Sequence, residues 1–189
     1  LRLLHLIAGV SYYKAAVPGD IRIDGYAIDD ATAALLEDVY LHGLGEFAYR
    51  NGLDLHGRIR FPRAAGNAAG GDDGDSRAPD LQLRRHALVA IGGGKDSLVS
   101  IEALRAAGID QTVAWIGGSQ LIAACAARTG LPTLNIQRQL APELFEYNRQ
   151  GAYNGHIPVT AINSAILALA ALLLDADQVV FSNERSASY

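Results

Sequence analysis

A glycine-rich hexapeptide carries the residues best suited to chemistry. Residues 92–97 read Gly-Gly-Gly-Lys-Asp-Ser, and they stand between the apolar run 87–91 and apolar residues at helical spacing. Adjacent glycines let the backbone approach a ligand closely, and the start of a helix attracts an anion. Lys95 adds a positive charge, Asp96 can hold a metal ion, and Ser97 offers a hydroxyl. The stretch predicts a strand, loop and helix that bind a polyphosphate, and the alternative is a tight turn without a ligand.

The spacing excludes two common phosphate-binding motifs. A Walker A motif would need glycine where Val89 stands, and serine or threonine in place of Asp96. The dinucleotide fingerprint G-x-G-x-x-G would need its third glycine at Ser97. The loop instead resembles the S-G-G-x-D-S sequence of the ATP pyrophosphatases, or PP-loop enzymes, with Gly92 in place of the first serine. That resemblance implies cleavage of ATP between its α and β phosphates.

The elements around this loop predict an α/β fold with a parallel sheet flanked by helices, because strands and helices alternate with short connections. Strands are predicted at 86–91, 111–116, 132–136 and 177–182, with helices at 95–106, 119–129 and about 157–174. Ligands of such sheets bind beyond the carboxyl ends of the strands, where the polar segments following each strand should converge.

Three regions are predicted: a mainly helical segment at 1–63, a linker or exposed loop at 64–80, and the ATP-binding domain at 81–189. In the first region, helices are expected from Leu3 to about Pro18 and from Asp29 or Asp30 to about Asn51. A short strand is expected at 21–24. The loop 64–80 is rich in glycine, alanine and aspartate.

The polar segments after the strands supply further candidate residues. Arg185 could neutralise phosphate or carboxylate oxygens, and Glu184 could bind magnesium together with Asp96, although a surface turn is the alternative. Arg138 has the same two interpretations. The candidate nucleotide-binding residues in these segments are Arg138, Ser182, Asn183, Arg185 and Ser186.

Two single residues and one cluster have both a functional and a structural interpretation. His156 precedes the long apolar helix and could exchange a proton, or it could simply hydrogen-bond its loop. Cys125 lies on a helical apolar stripe, which favours core packing over a reactive thiol. His5, Tyr12, Tyr13 and Lys14 cluster near the end of the first helix, where they could contact a substrate or form an ordinary helix end.

Composition limits the class of protein. Hydrophobic residues make up 50% of the 189 residues and charged residues 19%, which is typical of a globular chain. A net charge of −4 argues against a strongly basic nucleic-acid surface, and the single cysteine fits a reducing compartment. The longest apolar run is too short to span a bilayer, and the start lacks the features of a secretory signal. We therefore expect a cytoplasmic protein without nucleic-acid or membrane partners.

Four segments in the same order resemble the MurL family of UDP-N-acetyl-α-D-muramoyl-L-alanyl-L-glutamate epimerases. The resemblance covers most of the chain. The segments are His5 to Ala15 (HLIAGVSYYKA), Gly92-Gly93-Gly94-Lys95-Asp96-Ser97, Asn154 to Ser164 (NGHIPVTAINS) and Ser182 to Ser188 (SNERSAS).

The resemblance implies ATP-dependent inversion of the terminal L-glutamate of UDP-MurNAc-L-Ala-L-Glu to D-glutamate, with release of AMP and pyrophosphate. Adenylation would remove the carboxylate charge and make the Cα proton more acidic. On this hypothesis the glycines, Lys95 and Ser97 hold pyrophosphate, Mg²⁺ binds Asp96 and Glu184, and His156 serves as base or acid. The catalytic candidates are His156, Lys95, Asp96 and Arg185.

Two alternatives stay open at this stage. Another PP-loop enzyme could activate a carboxylate or carbonyl and then form an amide or transfer sulfur. A module of a different class would bind ATP without turnover. The sequence leaves open the oligomeric state and whether one base or two perform the inversion.

Overall fold

The computed structural model describes residues 1–64 and 80–183. Its described residues fall into two compact units. The first consists of those within Leu1–Pro79 and Leu140–Ala165, and the second of those within Asp80–Gln139 and Ile166–Tyr189. The boundaries 1–63, 64–80 and 81–189 stay a prediction, and residues 65–79 of the expected loop lie outside the described part of the chain.

The first unit is helical. Its complete helices are α1 (Arg2–Ala8), α2 (Val10–Ala16), α3 (Asp30–Gly43), α4 (Gly45–Asn51) and α7 (Pro142–Arg149). The expected N-cap of α3 is confirmed, since the Asp29 carboxylate accepts a 2.6 Å hydrogen bond from the backbone N–H of Thr32. The side chains buried in this unit include Val10, Leu36, Leu44 and Phe47.

Each of the two long helices predicted in this region is divided in two. The first divides at Gly9, where a Cβ would lie 3.0 Å from the Tyr40 hydroxyl. The second divides at Leu44, whose backbone (φ −101°, ψ 11°) departs from helical geometry. Glycine on each side of Leu44 weakens the helix there, and Gly43 is also required by packing, because its Cβ would lie 2.5 Å from Cβ of Pro158.

Two further predictions for this region were incomplete or wrong. Residues 21–24 form no strand, because alternation alone supplies no neighbouring strand to pair with. Helix α7 was not predicted from sequence, although Pro142 stands in its first turn, a position that proline favours. No helix among residues 1–64 and 80–183 has the length and apolar character needed to cross a bilayer.

The second unit contains a four-stranded parallel sheet, which confirms the α/β prediction. Its strands are β1 (Arg84–Ala90), β2 (Asp110–Ile116), β3 (Thr133–Ile136) and β4 (Ala176–Val180), in the order β3-β2-β1-β4. Every neighbouring pair is parallel. The connecting helices are α5 (Lys95–Ala106), α6 (Gln120–Arg128) and α8 (Val159–Leu173). Each strand and helix predicted for this region is present, with ends within three residues of those expected.

Helices cover both faces of the sheet, because successive residues of a strand point to opposite sides. Ala87 and Val89 of β1 pack with Ile101 of α5 and Ala126 of α6. Leu88, between them, packs instead with a cluster that includes Leu167 and Ala171 of α8. Burial on both faces explains the apolar run 87–91, which begins inside β1.

Candidate functional site

The glycine loop lies at the point where the strand order reverses. From β1 the chain proceeds to β2 and β3 on one side, and β4 then pairs with the other side of β1. Open α/β sheets bind ligands in the crevice that lies at such a reversal, beyond the carboxyl ends of the strands. Residues 92–97 directly follow the carboxyl end of β1, so they lie at this edge of the sheet.

The backbone of the loop forms an open cradle. Gly93 has φ +80°, a left-handed conformation that glycine adopts without strain, and Gly94 is the extended N-cap of α5 (φ −93°, ψ 168°). A Cβ added to Gly92 or Gly94 would meet no atom within 4 Å, so open space lies directly beside the main chain. The first backbone N–H groups of α5 have no partners within the helix, so they are available to donate hydrogen bonds to an anion.

Three side chains complete the start of α5. Ser97 is buried, and its hydroxyl donates a 3.0 Å hydrogen bond to the carbonyl of Gly94, which closes the first turn of the helix. Lys95 is exposed and Asp96 is half-buried. This arrangement leaves the ammonium and the carboxylate accessible to a ligand, while Ser97 has a structural role in the loop.

The segment following β4 reaches the same helix. The Ser182 hydroxyl lies 2.7 Å from the hydroxyl of Ser100, one turn after Ser97 on α5. The structure therefore brings together two of the segments singled out in the sequence, the glycine loop and the start of Ser-Asn-Glu-Arg-Ser. Asn183 is exposed. Glu184, Arg185 and Ser186 lie outside the described residues.

Arg138 is placed farther from the loop than Ser182 is. It follows β3, the outermost strand, which β2 separates from β1. Two inter-strand spacings amount to about 9–10 Å, so the contribution of Arg138 depends on the reach of its side chain. Cys125 packs against the core of the second unit, as expected, and its sulfur lies 4.0 Å from the position of a Cβ on Gly93.

The protein ligands available to a metal ion at the loop are few. Within residues 1–64 and 80–183, no group of three or more His, Cys, Asp or Glu side chains is arranged to hold a metal. Mg²⁺ commonly binds one or two carboxylates together with substrate phosphates. The half-buried Asp96 beside an open backbone cradle fits that requirement.

A second group of candidate residues assembles in the first unit. Lys14 is buried at the end of α2, and its Nζ donates hydrogen bonds to Oδ1 of Asn154 at 2.5 Å and to the carbonyl of Gly155 at 3.1 Å. Asn51 also donates to the carbonyl of Asn154, at 3.3 Å. These contacts join two motifs of the sequence, residues 5–15 and 154–164, that are far apart along the chain.

The segment before α8 is packed closely as well as hydrogen-bonded. The backbone N–H of Tyr153 donates to the carbonyl of Ala15 at 3.1 Å. A Cβ on Gly155 would lie 3.1 Å from the ring of the fully buried Phe47. His156 follows directly, and its side chain is exposed. Hydrogen bonds and packing therefore position the backbone before His156, while the imidazole stays accessible.

Burial changes the protonation of the lysine in this group. Because the Lys14 ammonium is largely removed from water, its pKa is lowered from the usual value of 10.5. The two described partners of Nζ, an amide oxygen and a carbonyl, carry no full negative charge to offset the desolvation. Lys14 is thus a buried amine that can lose its proton more readily than a surface lysine.

The sequence offered Lys14 as either a substrate contact or part of an ordinary helix end, and it gave no role to Asn154. A buried lysine and an exposed one look identical in sequence, and the pairing spans 140 positions. A usable signal was available: Lys14 follows two tyrosines on an otherwise apolar helix. His156 and the Lys14–Asn154 pair belong to the first unit, and residues 92–97 and Ser182 to the second.

Comparison with known proteins identifies the relatives of this chain. The family model described as the MurL N-terminal domain matches residues 1–189. A UDP-N-acetyl-alpha-D-muramoyl-L-alanyl-L-glutamate epimerase of Xanthomonas oryzae pv. oryzae (strain MAFF 311018) is 77% identical over the whole chain. Proteins of the same name from Salinispora tropica and a Micromonospora species are each 45% identical over the whole chain.

The chain spans about 40% of the length of these relatives. No solved structure matches it. The match of the family model across all 189 residues, together with the identity to three epimerases, confirms the resemblance carried by the four sequence motifs. The chain belongs to the MurL N-terminal domain family.

Proposed function

We propose that this chain is part of an ATP-dependent epimerase of peptidoglycan precursor synthesis, which converts the terminal L-glutamate of UDP-MurNAc-L-Ala-L-Glu to D-glutamate. The relatives bear the name of that epimerase and are up to 77% identical to the chain. The proposed setting is the cytoplasm, where ATP is available. A PP-loop role for residues 92–97 is the further part of the proposal.

The observation that carries the ATP proposal is the open glycine cradle at the strand-order reversal. Backbone N–H groups at the start of α5 would donate hydrogen bonds to pyrophosphate oxygens, and Lys95 would add a positive charge. Gly92 and Gly94 leave room for phosphate next to the main chain. Asp96 would bind Mg²⁺, with Glu184 as the second proposed ligand.

Activation by ATP solves a chemical problem of the substrate. Removing the Cα proton next to a free carboxylate would add a second negative charge to a group that already carries one. Attack of the glutamate carboxylate on the α-phosphorus expels pyrophosphate and replaces that charge with a neutral acyl carbonyl. A base can then remove the Cα proton, and return of a proton to the opposite face inverts the centre. Water finally releases AMP and the D-glutamyl product.

The chain's own residues divide these tasks. Lys95, Arg185 and the loop amides would stabilise charge on the phosphates, with Arg138, Ser182, Asn183 and Ser186 as further nucleotide contacts. His156 is the proposed base or acid, and its exposed imidazole after a hydrogen-bonded, closely packed segment supports that role. Proton transfer by a positioned side chain contributes roughly 10²- to 10⁴-fold to rate.

The test is a paired measurement on the full-length protein. Incubation with ATP, Mg²⁺ and UDP-MurNAc-L-Ala-L-Glu in D₂O is expected to yield AMP, pyrophosphate and D-glutamate labelled with deuterium at Cα. Chiral analysis after acid hydrolysis and mass spectrometry report these products. Release of AMP that requires a nitrogen or sulfur donor would replace the proposal with an amide-forming or sulfur-transferring PP-loop enzyme. Binding of ATP without AMP formation would replace it with a non-catalytic module.

A further inference from the structure

The segment from Tyr153 to Gly155, called here the 153–155 segment, leads directly to the exposed His156. Its residues belong to neither a helix nor a strand, so no regular pattern of backbone hydrogen bonds fixes their course. The position of the segment therefore depends on contacts with the elements packed around it. Helices α2 and α4 of the same unit supply those contacts.

Helix α2 contributes a buried ammonium group. Lys14 is 7% exposed, and its Nζ donates to Oδ1 of Asn154 and to the carbonyl of Gly155. The same Oδ1 also accepts a 2.9 Å hydrogen bond from the backbone N–H of Gly155. The ammonium, the Asn154 side chain and both main-chain polar groups of Gly155 thus form one connected set of hydrogen bonds.

Helix α4 contributes a second set of contacts. Nδ2 of Asn51 donates to the carbonyl of Asn154 at 3.3 Å and to the carbonyl of Phe47 at 2.8 Å. The Phe47 ring meets the Tyr153 ring edge-to-face, with centroids 6.3 Å apart, and it occupies the space that a Cβ on Gly155 would need. These contacts restrict where the main chain before His156 can lie.

A buried lysine is a costly way to fill space at this position. The Lys14 ammonium loses its hydration, and its two described acceptors are neutral oxygens that offset only part of that loss. Methionine has a side chain of similar length and would fill the same space without a charge to desolvate. What the ammonium adds is a pair of directed, charge-assisted hydrogen bonds to the 153–155 segment.

We propose that Lys14 is a positioning residue for proton transfer at the glutamate Cα: it sets the position of His156 through Asn154 and Gly155, without contacting the substrate. This inference rests on the proposed function, because that function makes His156 the base or acid.

The inversion step demands an accurately placed imidazole. The Cα–H bond breaks, its electron pair is delocalised into the acyl carbonyl, and the proton moves to a base that must lie within hydrogen-bond reach. A displacement of about 1 Å can lower the rate of such a step about 100-fold. Activation of the carboxylate by ATP makes no such demand on His156, so loss of the Lys14 contacts should affect inversion selectively.

The ratio of deuterium incorporated at Cα to AMP released tests this role in the full-length protein in D₂O. Lys14→Met removes both donors and is expected to lower the ratio about 10- to 100-fold, while the KM for AMP release stays within about twofold of the wild type. Lys14→Arg keeps a charged donor and is expected to recover most of the ratio. A purely structural role would reduce the amount of folded enzyme, which lowers both rates in proportion and leaves the ratio unchanged.

Tyr40→Phe is the matched control. It also removes a donor from a buried bond of the first unit, because the Tyr40 hydroxyl donates a 2.6 Å hydrogen bond to the carbonyl of Leu6. The Tyr40 ring packs edge-to-face on Tyr13 and Phe61. This variant is expected to be less stable than the wild type but to have the same ratio. An equal decrease of the ratio in Tyr40→Phe and Lys14→Met would overturn the proposal.

A double variant shows whether Lys14 acts through His156. Lys14→Met combined with His156→Asn is expected to have the ratio of His156→Asn alone, because the lysine then has no imidazole to position. A further decrease of about tenfold in the double variant would mean that Lys14 acts independently, and the proposal would fall.

The wild type and the single variants separate failure of this inference from failure of the proposed function. If the wild type releases AMP and forms labelled D-glutamate while Lys14→Met has the wild-type ratio, the function stands and the role of Lys14 falls. If His156→Asn keeps the wild-type ratio, the function again stands and the positioning role falls. If the wild type forms neither product, the proposed function fails and the role of Lys14 fails with it.

Discussion

Nζ of Lys14 donates a 2.5 Å hydrogen bond to Oδ1 of Asn154, which joins two residues 140 positions apart. The same ammonium donates to the carbonyl of Gly155, one residue before His156. Lys14 therefore fixes the segment that carries the proposed proton-transfer residue. Because the ammonium is buried, the strength of this contact depends on pH. The strength of a solvent-exposed ion pair would depend mainly on salt concentration.

Replacing Lys14 with Met should change the pH dependence of stability. The folded protein holds the Lys14 proton less tightly than the unfolded chain, so the free energy of unfolding of the wild type should rise as pH increases from the lowered pKa towards 10.5. Lys14→Met should lack this rise. Near pH 7 the variant should be less stable by about 1–3 kcal/mol, because the acceptors on Asn154 and Gly155 lose their donor.

Urea unfolding of both proteins from pH 7 to 10.5 measures the difference. Tyrosines and other titrating groups are common to the two proteins and largely cancel in the comparison. Asn154→Ala, which keeps the lysine, serves as a control and should retain a pH-dependent rise. Parallel stability curves for the wild type and Lys14→Met would show that the ammonium is not desolvated as described.

Two alanine substitutions in the glycine loop should have different effects. Gly93→Ala places a Cβ at φ +80°, and should lower the free energy of unfolding by about 1 kcal/mol or more. Gly92→Ala meets open space and should change stability by less than about 0.5 kcal/mol. Gly92→Ala should nevertheless weaken ATP binding, because its Cβ takes up room expected for phosphate. Wild-type ATP affinity in Gly92→Ala would remove that residue from the proposed cradle.

Asp96→Asn should suppress AMP formation in the full-length protein. Loss of the carboxylate that would hold Mg²⁺ removes several kcal/mol of charge stabilisation, which corresponds to a decrease of about 100-fold or more. Asp110→Asn, an exposed aspartate at the amino end of β2, provides a matched change of charge away from the crevice. AMP release by Asp96→Asn at the rate of this control would refute the magnesium role.

His156→Asn should separate the activation of the carboxylate by ATP from the inversion of the glutamate Cα. The variant should still release AMP, but deuterium incorporation at the glutamate Cα should fall by roughly 10²- to 10⁴-fold. The side chain is exposed, so the substitution should have little effect on folding. His42→Asn, another exposed histidine, is the control. Undiminished incorporation of deuterium would eliminate His156 as base or acid.

Glu37→Gln should weaken the packing of the segment after α4. The carboxylate accepts hydrogen bonds from the Arg63 guanidinium at 2.9 and 3.0 Å and from the backbone N–H of Phe61 at 2.9 Å. Its removal should cost about 1 kcal/mol, a modest value because Arg63 is partly exposed to solvent. Glu46→Gln, which loses an exposed pair with Arg50, should have a smaller effect.

The lowered pKa of Glu37 predicts how the free energy of unfolding changes in acid. The hydrogen bonds from Arg63 hold the pKa of Glu37 below its ordinary value of 4.5. Stability from this group is therefore present above pH 4.5 and is lost as the pH falls through the lowered pKa. Chemical denaturation between pH 3 and 7 should show a smaller acid-induced loss for Glu37→Gln. An equal loss in the two proteins would contradict the prediction.

The sequence by itself determined the local structure of the second unit. Apolar runs bounded by glycine and charged residues were sufficient to predict β1 to β4 and α5, α6 and α8, because burial on both faces leaves little room for polar residues. The Gly-Gly-Gly-Lys-Asp-Ser spacing also excluded two other phosphate loops. Family membership followed from four motifs in fixed order, since their residue types are visible without a structure.

Tertiary structure decided which distant residues meet. The strand order β3-β2-β1-β4 places Ser182 beside Ser100, and helix packing buries Lys14 against Asn154. It also buries the Tyr13 hydroxyl without a hydrogen-bond partner among the described residues. Such features depend on burial and on contacts between residues far apart in the chain. Periodicity reports the buried face of one element, whereas a desolvated amine or an unpaired hydroxyl is created by the elements that pack around it.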